Sequence, residues 1–311
     1  MVTKEAVEER QLQIFTQLKA ANWPARTGAG PSVLKPNPVV SGPVAWWHVQ
    51  LGSIALLNVV LWALSAAAVT RGQTHIPAES NAACLTQLLL SAAYMLGCAF
   101  RSVLPVYDIP RIVLIDSQLS SVIVGRSVAT IAEMCFAAQW ALILHRIALV
   151  TDSPLAYALS LAIVPLIILA EVCSWHSVLT TDQRGHMAEN SLWGLSAVLV
   201  VISLVVIGPS RLGYLYLPMI AWSVGGACYA AYIFFFDVPM YWTRWRADQK
   251  NGRRYLSIAQ GVVDVRVRRV VSYTWKDWKN EILWMSLYFS FGVWSSISLV
   301  YASITLNAHG L

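Results

Sequence analysis

Charge is what this chain has least of. Asp, Glu, Lys and Arg supply 12% of its 311 residues, against 57% hydrophobic, whereas a soluble globular protein carries about 25% charged residues. That scarcity excludes an ordinary soluble domain. The ten-residue segments of alternating apolar and polar residues that build a closed transmembrane barrel are missing too. Cys84, Cys98, Cys135, Cys173 and Cys228 all fall inside apolar stretches, where cysteine packs as a small hydrophobe. None remains in the outer loops for a disulfide framework. There is no Asn-x-Ser/Thr acceptor, Walker motif, Gly-rich dinucleotide fingerprint or Ser-nucleophile elbow, which argues against ATP-driven transport by this chain alone.

What the chain does have is seven apolar stretches of about the 20 residues that cross a bilayer. They lie near 46–69, 82–104, 119–143, 154–178, 189–209, 214–237 and 282–305. Gln87, Ser91 and Gly97 dilute the second, and the third can run on to Val150. The expected fold class is all-α: a polytopic integral membrane protein with a tail at 1–44 and a seven-helix membrane domain at 45–311. Within the tail, Glu5 to Ala21 reads as a short amphipathic helix, and five prolines from Pro24 to Pro43 make an extended linker. No apolar core of a cleavable signal is expected there.

Lys and Arg set the orientation. With the N-terminus cytoplasmic, every one of the 22 Lys and Arg falls inside except Arg71, Arg146 and Arg211 outside and Arg126 within a span. The C-terminus is then outside. This topology gathers the ionisable residues of the spans on one side. Arg126 and Glu133 occupy the inner half and middle of span three, Glu171, Trp175 and His176 the inner third of span four. His186, Glu189, Asn190 and Trp193 sit at the inner mouth of span five, and Asp237 and Tyr241 at the inner end of span six. Glu281 begins span seven. Pro154 to Leu169, Leu195 to Ile207 and Val293 to Ile304 carry no Asp, Glu, Lys, Arg or His.

An ionisable group in hydrocarbon costs at least about 2.5 kcal/mol, so each is a functional candidate. Arg126 and Glu133 are two turns apart on one face, about 10 Å along the axis, too far for a direct ion pair without help. His186, Glu189 and Asn190 project from one turn. Each residue also has a structural reading: Arg126 can snorkel to the headgroups, Glu189 can serve the helix dipole, and Asp237, Glu281 and His145 can be interfacial. Ala132-Glu133-Met134-Cys135 and Ala170-Glu171-Val172-Cys173 echo each other, which is coincidence unless the two glutamates face one another.

Three chemistries suit such a cluster. Acid–base catalysis on a lipid or isoprenoid from the inner leaflet leads, in an isomerase, cyclase or hydrolase. Glu133 and Glu171 would be acid and base, His176 a proton relay, and Arg126 an anion partner, with Trp175, Glu189, Asn190, Trp193, Asp237 and Tyr241 binding substrate. No cofactor is evident, although Glu171, His176, His186 and Glu189 are types that bind a divalent metal; there is no HExxH or repeated His box. Proton-coupled transport through the same carboxylates is the alternative, followed by a non-catalytic receptor or complex subunit. Seven spans with an inside N-terminus is also the arrangement of the progestin and adipoQ receptors and of heliorhodopsins. Trp284 to Thr305 has neither the His pair of the first nor the Schiff-base Lys of the second, so no family is assigned.

Residues 238–281 read as a cytoplasmic loop combining Trp242, Trp245, Trp275 and Trp278 with ten Lys or Arg. Its expected partners are membrane lipids, anionic headgroups above all, and not nucleic acid. Leu256 to Tyr273 alternates in part, reading either as a strand or as an interfacial helix broken at Gly261.

The orientation is checked by accessibility. In a variant lacking the native cysteines, Asn251→Cys reacts with a membrane-impermeant maleimide from the cytoplasmic face and Asp152→Cys from the other; the reverse pattern refutes it.

Overall fold

An apolar segment in lipid must pair its backbone groups within itself, so each long run becomes helix. The computed structural model describes residues 42–72, 78–208, 213 and 215–308, and the tail segment 5–21 lies outside them. Its helices are α1 (Gly42–Gly72), α2 (Ala78–Val103), α3 (Val122–Thr151), α4 (Pro154–Thr180), α5 (Gln183–Ile207), α6 (Tyr216–Lys250) and the short α7 (Ile258–Val267). The last, α8, runs through Trp275–Leu287, Tyr288–Gly292 and Val293–Ala308. All but α7 are long and apolar enough to cross a membrane, seven among the described residues. Consecutive helices from α1 to α6 pack as neighbours, and α8 returns onto α1, α2 and α3.

Two tight connections set the depth of the central helices. Asp152 closes α3 in the left-handed region (φ 48°), and Ser153 caps α4, its Oγ accepting from the Ala156 N–H at 3.3 Å. Pro154 follows at the first helical position, where its missing N–H costs nothing. Thr181 then closes α4 (φ 65°), and Asp182 caps α5 by accepting from the Arg184 N–H at 3.1 Å. With so short a link, Glu171 and Glu189 both fall within about three turns of the connection, at comparable depth. Gly185 brings the two helices together: a Cβ there would sit 2.3 Å from the Cys173 carbonyl oxygen.

At this end of the bundle a small cap covers the helices. Strands β1 (Val106–Tyr107) and β2 (Ile112–Val113) pair antiparallel, and β3 (Val270–Val271) adds parallel to β2. Arg111 is fully buried beneath them. Its Nε donates to Asp264 Oδ2 at 2.9 Å, its Nη1 to the Asp108 carbonyl and its Nη2 to the Val178 carbonyl, both at 2.6 Å. One guanidinium thereby ties the α2–α3 loop, α4 and α7 together. Burial pulls the neighbouring Arg268 down to about 10, which still leaves it charged near neutrality, with Nε 3.0 Å from Asp264 Oδ1.

The opposite end is mainly apolar, with half-buried His145 and Arg146 bonded to Ser160 and Ser303. Ile143, Leu144, Ile147, Leu204, Met219, Leu299 and Leu306 are buried in one cluster there. In the middle, Gln87 and Gln139 exchange amide-to-carbonyl hydrogen bonds at 3.0 and 3.1 Å, and Ser296 donates to Gln139 Oε1 at 2.5 Å.

Several expectations are corrected. The basic segment 238–281 is not a loop: α6 continues to Lys250 and α8 begins at Trp275. Span five starts at Gln183, and span three runs from Val122 to Thr151. Hydropathy measures the apolar length of a helix, and these helices carry charged turns beyond it. Nor does Gly261 break α7. It lies inside the helix against α4, where a Cβ would meet the Leu179 carbonyl oxygen at 2.1 Å. Ser257 starts that helix with a capping box to Gln260, a local bond pattern that outweighs the partial alternation.

Removing Arg111 leaves Asp264 Oδ2 and two carbonyls without their donor, with only Arg268 still paired to the buried carboxylate. Arg111→Ala is expected to cost on the order of 3 kcal/mol, read as a lower unfolding midpoint in detergent, with Arg111→Ala/Asp264→Leu recovering part of the loss. An unchanged midpoint in the single variant contradicts this role.

Candidate functional site

Five ionisable side chains from three helices converge beneath the cap. Arg126 of α3 points one nitrogen, Nη2, at three carboxylates: Glu171 Oε2 at 2.7 Å, Glu189 Oε1 at 3.0 Å and Glu133 Oε2 at 3.2 Å. All four residues are buried. His186 Nδ1 lies 2.8 Å from Glu189 Oε2, and its ring is 5.3 Å from that of Tyr241. Glu133 uses its other oxygen to accept from the Tyr288 hydroxyl at 2.9 Å. Thr130 Oγ1 donates to Glu171 Oε2 at 2.6 Å and accepts from Trp175 Nε1 at 3.0 Å. Arg126 and Glu133 therefore do form a direct ion pair. The axial separation is closed because the Glu133 side chain leans toward the helix N-terminus, back to an extended Arg126. The two echoing glutamates also face each other across α3 and α4, both on Arg126.

Beside this cluster is an open-mouthed cavity of about 90 Å³. Three helical stripes line it: Gln183, His186, Glu189 and Asn190 on α5; Asp237, Tyr241 and Arg244 on α6; Glu281, Trp284, Met285 and Tyr288 on α8. Each stripe follows the three-, four- and seven-residue spacing of one helix face. Arg126, Glu133, Arg101 and residues 106–109 of the cap complete the wall. Burial and the nearby Glu281 carboxylate push the Tyr107 hydroxyl up, against the opposing pull of Arg244, so it meets a ligand as a neutral group.

Both π-helical turns of the fold flank this space. Ile233–Asp237 ends on Asp237, and Tyr288–Gly292 begins at Tyr288. In the second, Asn58 of α1 donates its amide to the Phe289 carbonyl at 2.7 Å and accepts from Trp294 Nε1 at 3.0 Å. Such turns re-aim side chains, and are frequent at functional positions.

The residues expected from sequence divide three ways. Arg126, Glu133, His186, Glu189, Asn190, Asp237 and Tyr241 line the cavity. Glu171 and Trp175 stand behind Arg126, outside the lining. His176 and Trp193 are not brought in: His176 is exposed on another face of α4, and half-buried Trp193 is not on the wall. Successive positions on a helix turn by about 100°, so His176 cannot share a face with Trp175. The metal set Glu171, His176, His186 and Glu189 is accordingly not assembled. A different one is, since Glu133, Glu171 and Glu189 each offer an oxygen within 4.8 Å of the others and could hold an ion. Arg126 Nη2 stands among those same oxygens, so a metal would have to displace it.

The sequence does not single out Tyr288, Thr130, Gln183, Arg244 or Arg101 as site residues, and Glu281 reads from it as interfacial. Asp237-x3-Tyr241-x2-Arg244 and Glu281-x6-Tyr288 were legible as polar helix faces; Thr130 and Gln183 had no such signal.

The fold and this site define an all-helical protein with seven helices long and apolar enough to span a membrane among the described residues, and a buried arginine–carboxylate cluster open to one end of the bundle. Comparison with family models, curated proteins and solved structures finds no match, so its chemistry is read from the site.

Among the described residues, Arg126 is the only guanidinium paired with Glu133, Glu171 and Glu189. Arg126→Gln is expected to destabilise by roughly 3–5 kcal/mol, and adding Glu171→Gln, which removes one stranded charge, should raise the unfolding midpoint again. A double variant less stable than the single one would contradict this charge balance.

Proposed function

We propose that the protein is a membrane-embedded enzyme performing acid–base chemistry on a lipid or isoprenoid drawn from the inner leaflet. The observation that carries the reading is the hydrogen-bonded row Tyr288–Glu133–Arg126–Glu189–His186 along a cavity open at one end. Glu133 and the His186–Glu189 pair are two separate proton-transfer groups facing the same space, which isomerisation, cyclisation or hydrolysis needs. In such a reaction the Glu133 carboxylate accepts a proton from one atom of the substrate or from water while His186 gives one to another atom. The return of both protons after product release restores the site.

The roles drawn from sequence shift accordingly. His186 takes the relay assigned to His176. Glu171, off the wall and held by Thr130 and Arg126, is a positioning residue rather than the base. Arg126 keeps the carboxylates at fixed distances and leaves them no need to reorganise during the reaction.

The buried apolar cluster at the far end weighs against a proton-coupled path through the bundle, and so supports chemistry over transport. The inward orientation of the cavity follows from the Lys and Arg distribution.

The test is to incubate the purified protein with a total lipid extract and follow all species by mass spectrometry. Wild type should convert a lipid-soluble species, and Glu133→Gln should slow conversion by about 10²–10⁴-fold with helical content and unfolding midpoint unchanged. Proton-driven uptake into liposomes that Glu133→Gln abolishes, without any conversion, would favour transport instead.

A further inference from the structure

The cavity carries more acid than base. Its wall presents Asp108, Glu133, Glu189, Asp237 and Glu281 against Arg101, Arg126 and Arg244. Each of the three guanidiniums has a resident contact, although the Nε of Arg101 and of Arg126 is buried without a hydrogen-bond partner. Arg126 is held by its glutamates. Arg244 lies 4.0 Å from Glu281 and over the rings of Tyr107 and Tyr241 at 5.9 and 5.5 Å. Arg101 donates to the Val106 carbonyl at 3.4 Å and sits 6.0 Å from the centre of the Phe289 ring.

The acid side has unpaired groups as well. Asp108 and Asp237 form no ion pair among the described residues, and Asp108 Oδ1 is buried with no hydrogen-bond partner. Gln183, only 5% exposed and on the same wall, has its side-chain carbonyl oxygen buried and unpartnered. Tyr241, Trp284, Tyr288 and Phe289 supply aromatic surface around them. A ligand matching this wall must bring positive charge, donate hydrogen bonds or polarised C–H groups, and tolerate ring faces. Hard divalent cations want a shell of six or more oxygens instead, and an anion would meet the surplus carboxylates.

We propose that the cavity binds an organic ammonium group, with Asp237 and Asp108 as counter-charges, Gln183 as acceptor and the aromatic wall as its cation–π surface. The ammonium is carried either by a lipid headgroup or by a soluble amine. The inference rests on the cavity being the substrate site of the proposed enzyme, but binding is read without turnover, so either can fail while the other stands.

The experiment uses the full-length protein in a non-ionic maltoside micelle. Radiolabelled dodecyltrimethylammonium is the probe, with tetramethylammonium, dodecyl phosphate and manganese(II) as competitors. Saturable binding is expected, weakened by roughly tenfold or more in Asp237→Asn and in Asp108→Asn, the scale of one charge-assisted contact, with unfolding midpoints retained. Tyr241→Leu should weaken it as well, and provides a second reading if an aspartate variant fails to fold. Competition by tetramethylammonium at similar concentration assigns a soluble amine; competition only at far higher concentration assigns a lipid headgroup. Absence of saturable binding, displacement by manganese(II) at stoichiometric levels, or tighter binding of dodecyl phosphate lost in Arg244→Ala would each overturn the proposal.

Discussion

One guanidinium nitrogen facing three carboxylates is the interaction on which this end of the molecule depends. In a low-dielectric interior, neither the acids nor the arginine can be left alone, because an unpaired buried charge costs several kcal/mol. Arg126 Nη2 meets Glu133 on its own helix and Glu171 and Glu189 on the next two. The pairing therefore fixes the mutual depth of α3, α4 and α5 as well as the charge. Three acids against one base still leave a surplus of negative charge, which protons, His186 or a ligand must balance. That surplus distinguishes the cluster from a closed structural ion pair and makes it a candidate site.

The rest of the fold supplies what the cluster needs. Short capped turns at Asp152–Ser153 and Thr181–Asp182 hold the helices at one register. Gly185 and Gly261 let α5 and α7 approach α4 more closely than a Cβ would permit. A second buried arginine, Arg111, fastens the cap over the site through Asp264 and two backbone carbonyls. Two π-helical turns aim Asp237 and Tyr288 inward, with Asn58 bonded to a carbonyl of one of them. Apolar packing closes the far end.

Much of this was legible from residue types alone. Seven apolar runs fixed the number of spanning helices, because hydrocarbon forbids unpaired backbone, and the cost of buried charge singled out Arg126, Glu133, Glu171, Glu189, Asp237 and, through its spacing from Glu189, His186. What failed depended on distance in space. His186 bonds Glu189 within one turn of α5, whereas His176 has no acid three or four residues away and only the rotation of α4 in the bundle leaves its ring exposed. The reach of Arg126 to Glu133 was underestimated because axial spacing ignores side-chain direction. Thr130 and Gln183 are ordinary residues in sequence, and become part of the site only through their neighbours. The charged ends of α6 and α8 passed as a loop because hydropathy marks where helix leaves the apolar layer, not where it stops.

The most direct test of the central claim is experimental density at Arg126 at a resolution that separates an ion from a guanidinium. The account predicts a planar guanidinium with Nη2 between Glu133, Glu171 and Glu189, at the 2.7–3.2 Å of charge-assisted hydrogen bonds. An isolated peak about 2.0–2.2 Å from those carboxylate oxygens, the distance of a bound metal, with Arg126 turned away, would contradict it.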